Sequence, residues 1–231
     1  MRVSHLLRPS PFVLLLALLP GALRAQTIPS PYRFIETKQE FGLFAGHGTQ
    51  GTGRFGYGPG SGLLFGGRYA VRLRGPLALE ASTSFFKGNR DVMDPRRPEG
   101  DQKIGEAGFL VGTLDVGFRF SVVGDRTWHG LDPFIDFGIG YAYDLAGDRP
   151  TDKTLPDADR YSFGSSFHGI LGGGTRFFIS DRLALRADAT FSFWKLHTPP
   201  GFADPELGYT NVPRGEWVGG THLTLTALIA R

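Results

Sequence analysis

One four-residue phrase, glycine–any–arginine–aromatic, constrains the fold of this chain more than any other feature. Gly66-Gly67-Arg68-Tyr69, Gly117-Phe118-Arg119-Phe120 and Gly174-Thr175-Arg176-Phe177 fit it, and Gly220-Thr221-His222-Leu223 is a weaker fourth copy. Each copy lies among alternating apolar residues, the pattern of a strand. Positions two apart on a strand share a face, so the glycine and arginine point one way and the ring the other. The glycine is expected to leave room for the guanidinium stem on a crowded polar face. Successive copies start 51, 57 and 46 residues apart, each about two strands with their connections. The phrase therefore marks alternate strands running in one direction. The fold class that follows is all-β, an eight-stranded antiparallel up-and-down transmembrane barrel with short periplasmic turns and long extracellular loops.

The rest of the chain fills in that frame. Strands are expected over 38–48, 62–74, 77–87, 107–122, 133–144, 163–179, 183–194 and 217–231. Gly75-Pro76 and Ser180-Asp181-Arg182 read as tight turns. Polar, Gly- or Pro-containing stretches at 49–60, 88–104, 147–162 and 198–216 read as long loops. A three-residue turn after Arg74 would set Arg72 directly across from Glu80. Long and short connections alternate, which puts both ends of the barrel on the short-turn side.

Residues 1–25 read as a secretory signal: Arg2 and Arg8, then an apolar run from Phe12 to Leu19, then Pro20-Gly21 before a cut after Ala25. That run is far shorter than the ~20 residues of a spanning helix. The chain then divides into the signal, a lead over 26–36, and one barrel domain over 37–231. The formal charge is +3, and the signal carries three arginines and no acid, so the mature protein is charge-balanced. A nucleic-acid partner is therefore not expected. With no cysteine in its 231 residues, the chain cannot use disulfides.

Alternation does not say which face looks outward, since a secreted ligand-binding barrel alternates too. Three features favour apolar-out. The polar face is rich in small residues suited to a cramped lumen. It carries both charge signs, Arg68, Arg72, Arg119, Arg176 and Arg186 with Glu80, Asp115, Asp136 and Asp188, and buried charges must pair. Aromatic residues recur on the apolar face as in a lipid girdle: Tyr69, Phe118, Phe120, Tyr141, Tyr143, Phe177 and Phe193. Trp194 and Trp217 are expected at the outer interface.

The segments Leu131-Asp132-Pro133-Phe134-Ile135-Asp136-Phe137-Gly138-Ile139-Gly140-Tyr141 and Gly172 to Phe178 through Leu183 to Asp188 resemble the OmpA-like family of eight-stranded outer-membrane barrels. The resemblance covers the barrel alone, with no peptidoglycan-binding domain expected. It implies an outer-membrane location and insertion by the outer-membrane assembly machinery, which reads an aromatic C-terminal residue. Arg231 stands in that place here.

The functional expectation is a structural or narrow-pore monomer. Its lumen is filled by Arg–carboxylate pairs that pass at most water and small ions; a gate at Arg72–Glu80 or Arg186–Asp188 is the sharper form of that reading. Lys87, Arg90, Arg96, Arg97, Lys103, Arg149 and Lys153 sit near the long loops, where lipopolysaccharide phosphates would lie, alongside outer-membrane lipids as the other partner. The alternatives are a lipid hydrolase or lipid A-modifying barrel, and the soluble ligand-binding barrel. For hydrolysis the nearest set is Ser165, Ser166 and His168, and its spacing does not match His-x-Ser. No catalytic residue is assigned and no enzyme activity is expected. His168 and His222 are expected to line the lumen. The histidines show no metal-ligand spacing, and no metal or cofactor is expected.

Overall fold

The computed structural model describes residues 30–35 and 37–231; the proposed signal of residues 1–25 lies outside them. Ten strands form one sheet: β1 (Tyr32–Phe34), β2 (Gln39–Gln50), β3 (Ser61–Arg74), β4 (Leu77–Met93), β5 (Lys103–Ser121), β6 (Arg126–Trp128), β7 (Leu131–Asp144), β8 (Ser165–Phe178), β9 (Leu183–His197) and β10 (Gly215–Ala230). Eight of them close a barrel in sequence order, β2-β3-β4-β5-β7-β8-β9-β10, and β10 pairs back onto β2. Every pairing is antiparallel. The two three-residue strands β1 and β6 pair with each other at the short-turn end, so part of the expected lead is strand.

Residue parity decides what each side chain meets. Leu183, Leu185, Phe191 and Phe193 of β9 are exposed, whereas Ala184, Arg186, Asp188, Ser192 and Trp194 are buried. Ten residues of strand rise about 33 Å, and at a tilt of about 40° they stand roughly 25 Å tall, the height of an apolar belt in lipid. The belt continues round the cylinder through Leu225, Leu43, Phe65, Leu79, Phe118, Phe137 and Leu171, all exposed. Tyr69, Phe120, Tyr141 and Phe177 are exposed on this outer face, and Tyr143 is half-exposed.

Several expectations need correcting. Arg72 lies across from Ala78, and Glu80 across from Ala70. The turn is Gly75-Pro76 with a bulge between Arg72 and Arg74, a shorter connection than expected, and it moves the register by two. Strand β4 runs on to Met93 and β5 starts at Lys103. Their polar stretch, including Asn89, Arg90 and Asp91, is a hairpin rising above the apolar belt, where polarity marks water rather than a loop. Trp194 is buried in the lumen, not at the interface, while Trp217 is exposed.

The glycines of the repeated phrase also act differently from the expected way. A Cβ on Gly66 would overlap the Phe44 ring and the Thr83 carbonyl oxygen, and one on Gly174 would meet Phe134 and the Ala187 carbonyl. Gly66 and Gly174 thus make room for an inward ring on the adjacent strand rather than for the arginine stem, whereas a Cβ on Gly117 would meet the backbone of Phe137 and Gly138. The arginines then lie against those rings. Arg68 sits 4.6 Å from the Phe44 centroid, and Arg186 and Arg119 flank Phe134 at 4.3 and 5.9 Å.

Candidate functional site

The lumen has two halves of opposite chemistry. Toward the short turns lies a continuous lattice of ion pairs. Arg186 touches Glu80 at 2.6 Å, Asp136 at 2.9 Å and Asp188 at 2.5 Å. Arg68 bridges Glu80 and Asp188 at 3.3 and 3.2 Å. Arg119 joins Glu80 to Glu40 at 3.1 and 2.7 Å. Arg176 joins Glu40 to Asp132, which also accepts from the Ser121 hydroxyl. Four guanidiniums thus share five carboxylates. Removing a charge from such a site strands its partners in a low dielectric.

Sequence reasoning placed seven of these nine residues on one face and missed Glu40 and Asp132. Both were findable by parity, since Glu40 shares a face with Phe44 and Asp132 with Asp136. Two expected members lie elsewhere. Arg72 makes no ion pair among the described residues, and its Nη1 is buried without a partner. Asp115 pairs with no arginine among the described residues: His168 Nδ1 lies 2.9 Å from it, and the Thr113 hydroxyl donates to it at 2.7 Å.

Toward the long loops the lumen turns aromatic. Phe86, Phe109, Val111, Trp194, Leu196 and Val218 point inward from the strands, and Tyr57, Tyr161, Phe163 and Phe202 descend on them from the loops. Tyr57 and Tyr161 pack at a tilt with centroids 4.8 Å apart, and Phe163 meets Trp194 edge-on at 5.2 Å. Between the two halves lies a cavity of about 80 Å³, lined by Arg68, Asp136, His168, Trp194 and His222 among others. His168 Nε2, Asp136 Oδ1 and Trp194 Nε1 are buried without a partner among the described residues, and a cavity of this size and polarity suits two or three ordered waters.

The loops are tied into a cap. Arg90 is buried against Asp152 at 2.7 Å, and Arg96 holds Asp159 at 2.7 Å. Arg160 Nε donates to the carbonyls of Asp152 and Leu155. Arg90 is therefore a structural cation, not one offered to solvent. Lys103 is taken up by Asp91 and Glu106 at 2.7 and 3.0 Å. Burial holds the phenols of Tyr161 and Tyr57 above the ordinary tyrosine range. The cap escaped the sequence reading, although the five rings of Phe55, Tyr57, Tyr161, Phe202 and Tyr209 in supposedly solvated loops were its signal.

The candidate hydrolytic set is not assembled. Ser165 faces outward and bonds the Tyr141 hydroxyl at 2.6 Å. Ser166 faces inward and accepts the Lys195 amide N–H at 3.0 Å, and His168 points into the lumen toward Asp115. His222 also faces the lumen, 3.4 Å from the Ser192 hydroxyl.

No family model matches the chain, and no curated protein matches it. Solved structures do. Neisserial surface protein A aligns at 12% identity over 84% of this chain and 97% of its own, with a TM-score of 0.50. A major outer membrane protein from Thermus thermophilus aligns at 14% identity over 82% and 99%, with a TM-score of 0.44. The outer membrane enzyme PagL aligns at 16% identity over 80% and 97%, with a TM-score of 0.40. At these identities the likeness concerns the fold. The chain has the fold of an eight-stranded outer-membrane β-barrel.

Proposed function

We propose that the protein is a structural barrel of the OmpA-like kind, resident in the outer membrane, whose closed cylinder displays a packed extracellular cap. Residues 1–25 serve as its cleaved export signal, and the outer-membrane assembly machinery inserts it. The single observation that carries this reading is the doubly obstructed lumen, an ion-pair lattice below an aromatic cluster. Either obstruction alone would stop a solute. At the upper edge of the belt Lys87 stands outward, and Lys195 stands outward across from Trp217. That pairing of cation with interfacial ring suits the phosphates of a lipopolysaccharide leaflet. The role is display and envelope integrity rather than catalysis.

Planar-bilayer recording together with cell fractionation tests the reading. The purified wild-type chain is expected to give no unitary conductance, and to fractionate with the outer membrane in a form that migrates differently before and after boiling. Stable conductance steps, or recovery in the soluble fraction, would overturn it.

A further inference from the structure

The outer surface of the cap carries a groove that sealing the lumen does not require. It lies between the segments 94–102 and 205–212 and encloses about 860 Å³. Its floor is the half-buried ring pair Phe55 and Tyr209, edge to face at 5.4 Å. The Tyr209 ring is locked in place: its hydroxyl accepts from Gln102 Nε2 at 2.6 Å and donates to the Pro95 carbonyl at 3.1 Å. Along the walls stand three guanidiniums, Arg54, Arg96 and Arg97, with a single carboxylate, Glu99.

Two of these guanidiniums, Arg54 and Arg97, are poorly used by the protein itself. The backbone N–H of Arg54 donates to Glu216 at 2.6 Å, but its side chain has no acceptor among the described residues. Arg97 approaches Asp94 and Asp101 only at 3.7 and 3.9 Å, well beyond the ~2.7–2.9 Å of a charge-assisted hydrogen bond. Arg96 commits its Nε to Asp159 and keeps its two terminal amino groups. Asp159 compensates Arg96, and Asp94 and Asp101 lie near Arg97. The charges open to a ligand are therefore the Arg54 guanidinium and the loosely held Arg97 guanidinium, which a bound anion would engage at closer range.

The two kinds of surface select one kind of ligand. Half-buried aromatic faces accept the apolar face of a sugar ring, and planar guanidinium forks match carboxylate, sulfate or phosphate oxygens in two-point contact. A nucleic acid would need a longer basic stripe. An acyl chain would find three charges in its way. We propose that this groove binds an acidic saccharide, its ring on Tyr209 and Phe55 and its anionic substituent on Arg54 and Arg97.

The full chain, refolded in detergent free of lipopolysaccharide, provides the test by titration calorimetry with a sulfated tetrasaccharide and its desulfated counterpart. This assay depends neither on the lipid leaflet nor on conductance, so its failure is separable from failure of the structural-barrel reading. The sulfated sugar is expected to bind, more weakly as salt rises, and the neutral one is not. Arg54→Gln with Arg97→Gln should weaken binding by at least about tenfold while boiling-dependent migration stays normal. Arg74→Gln, at the opposite end, should change nothing. Equal binding of the neutral sugar, or unaltered binding by the folded double variant, overturns the proposal. Repeating the titration in nanodiscs identifies the source. If lipopolysaccharide supplies the acidic sugar, its presence blocks the tetrasaccharide in wild type; if a soluble glycan does, binding persists.

Discussion

Arg186 is the residue on which the lower lumen converges, since among the described residues it alone touches three carboxylates. Arg186→Met should destabilise the folded barrel by about 3–5 kcal/mol, because Glu80, Asp136 and Asp188 lose their common counter-charge. Adding Glu80→Gln should recover part of that loss, a coupling measurable by urea titration in phospholipid vesicles. Arg72→Gln, which breaks no ion pair, should stay within about 0.5 kcal/mol. Equal losses from the two arginines would remove the lattice as a stabilising unit. Alternation made the membership of this face legible, down to the Gly and Arg of each phrase. The partners were not legible. Arg186 meets Glu80 across 106 residues of sequence, through the lumen rather than along a ladder, and no local pattern encodes that. The expected Arg72–Glu80 pair failed for a smaller reason, a two-residue turn whose bulge shifted the register.

Among the elements, the belt-forming strands and the β4–β5 hairpin make separate demands. Ile139, outward on β7 and 67% exposed, lies near the middle of the belt. Ile139→Arg should cost about 2–4 kcal/mol in vesicles if that face meets acyl chains; in a soluble barrel the same change would stay within about 0.5 kcal/mol. The Gly75 turn holds φ at 55°, so Gly75→Ala should cost about 1 kcal/mol. The cap has its own pH limit. Burial raises the phenol pKa of Tyr161 and Tyr57 in the folded state. Their contribution is complete below the ordinary tyrosine pKa of about 10 and is lost as pH rises above it. Ultraviolet absorbance should report phenolate appearing late and together with exposure of the loops; ionisation at the ordinary pKa would contradict the packed cap. The strand class was plain from periodicity, whereas the height of β4 and β5 was not. Above the belt both faces of a strand meet water, and alternation fades into a polar run that imitates a loop.

At the scale of the whole molecule, the two obstructions act in series, and removing one should not open the other. Trp194→Ala is expected to enlarge the central cavity and destabilise the chain by about 3–5 kcal/mol, yet to leave bilayers silent while the ion lattice stands. Conductance from that single change would mean that the aromatic cluster was the sole barrier. The cap that completes this seal draws on four separate stretches of chain, joined through Arg90–Asp152, Arg96–Asp159, the Gln102–Tyr209–Pro95 relay and the Tyr57–Tyr161 ring contact. What it presents to the surroundings is therefore a mosaic. Antibodies raised against a synthetic peptide from any single loop should bind the boiled protein and ignore intact cells, while those raised against the folded barrel should do the reverse.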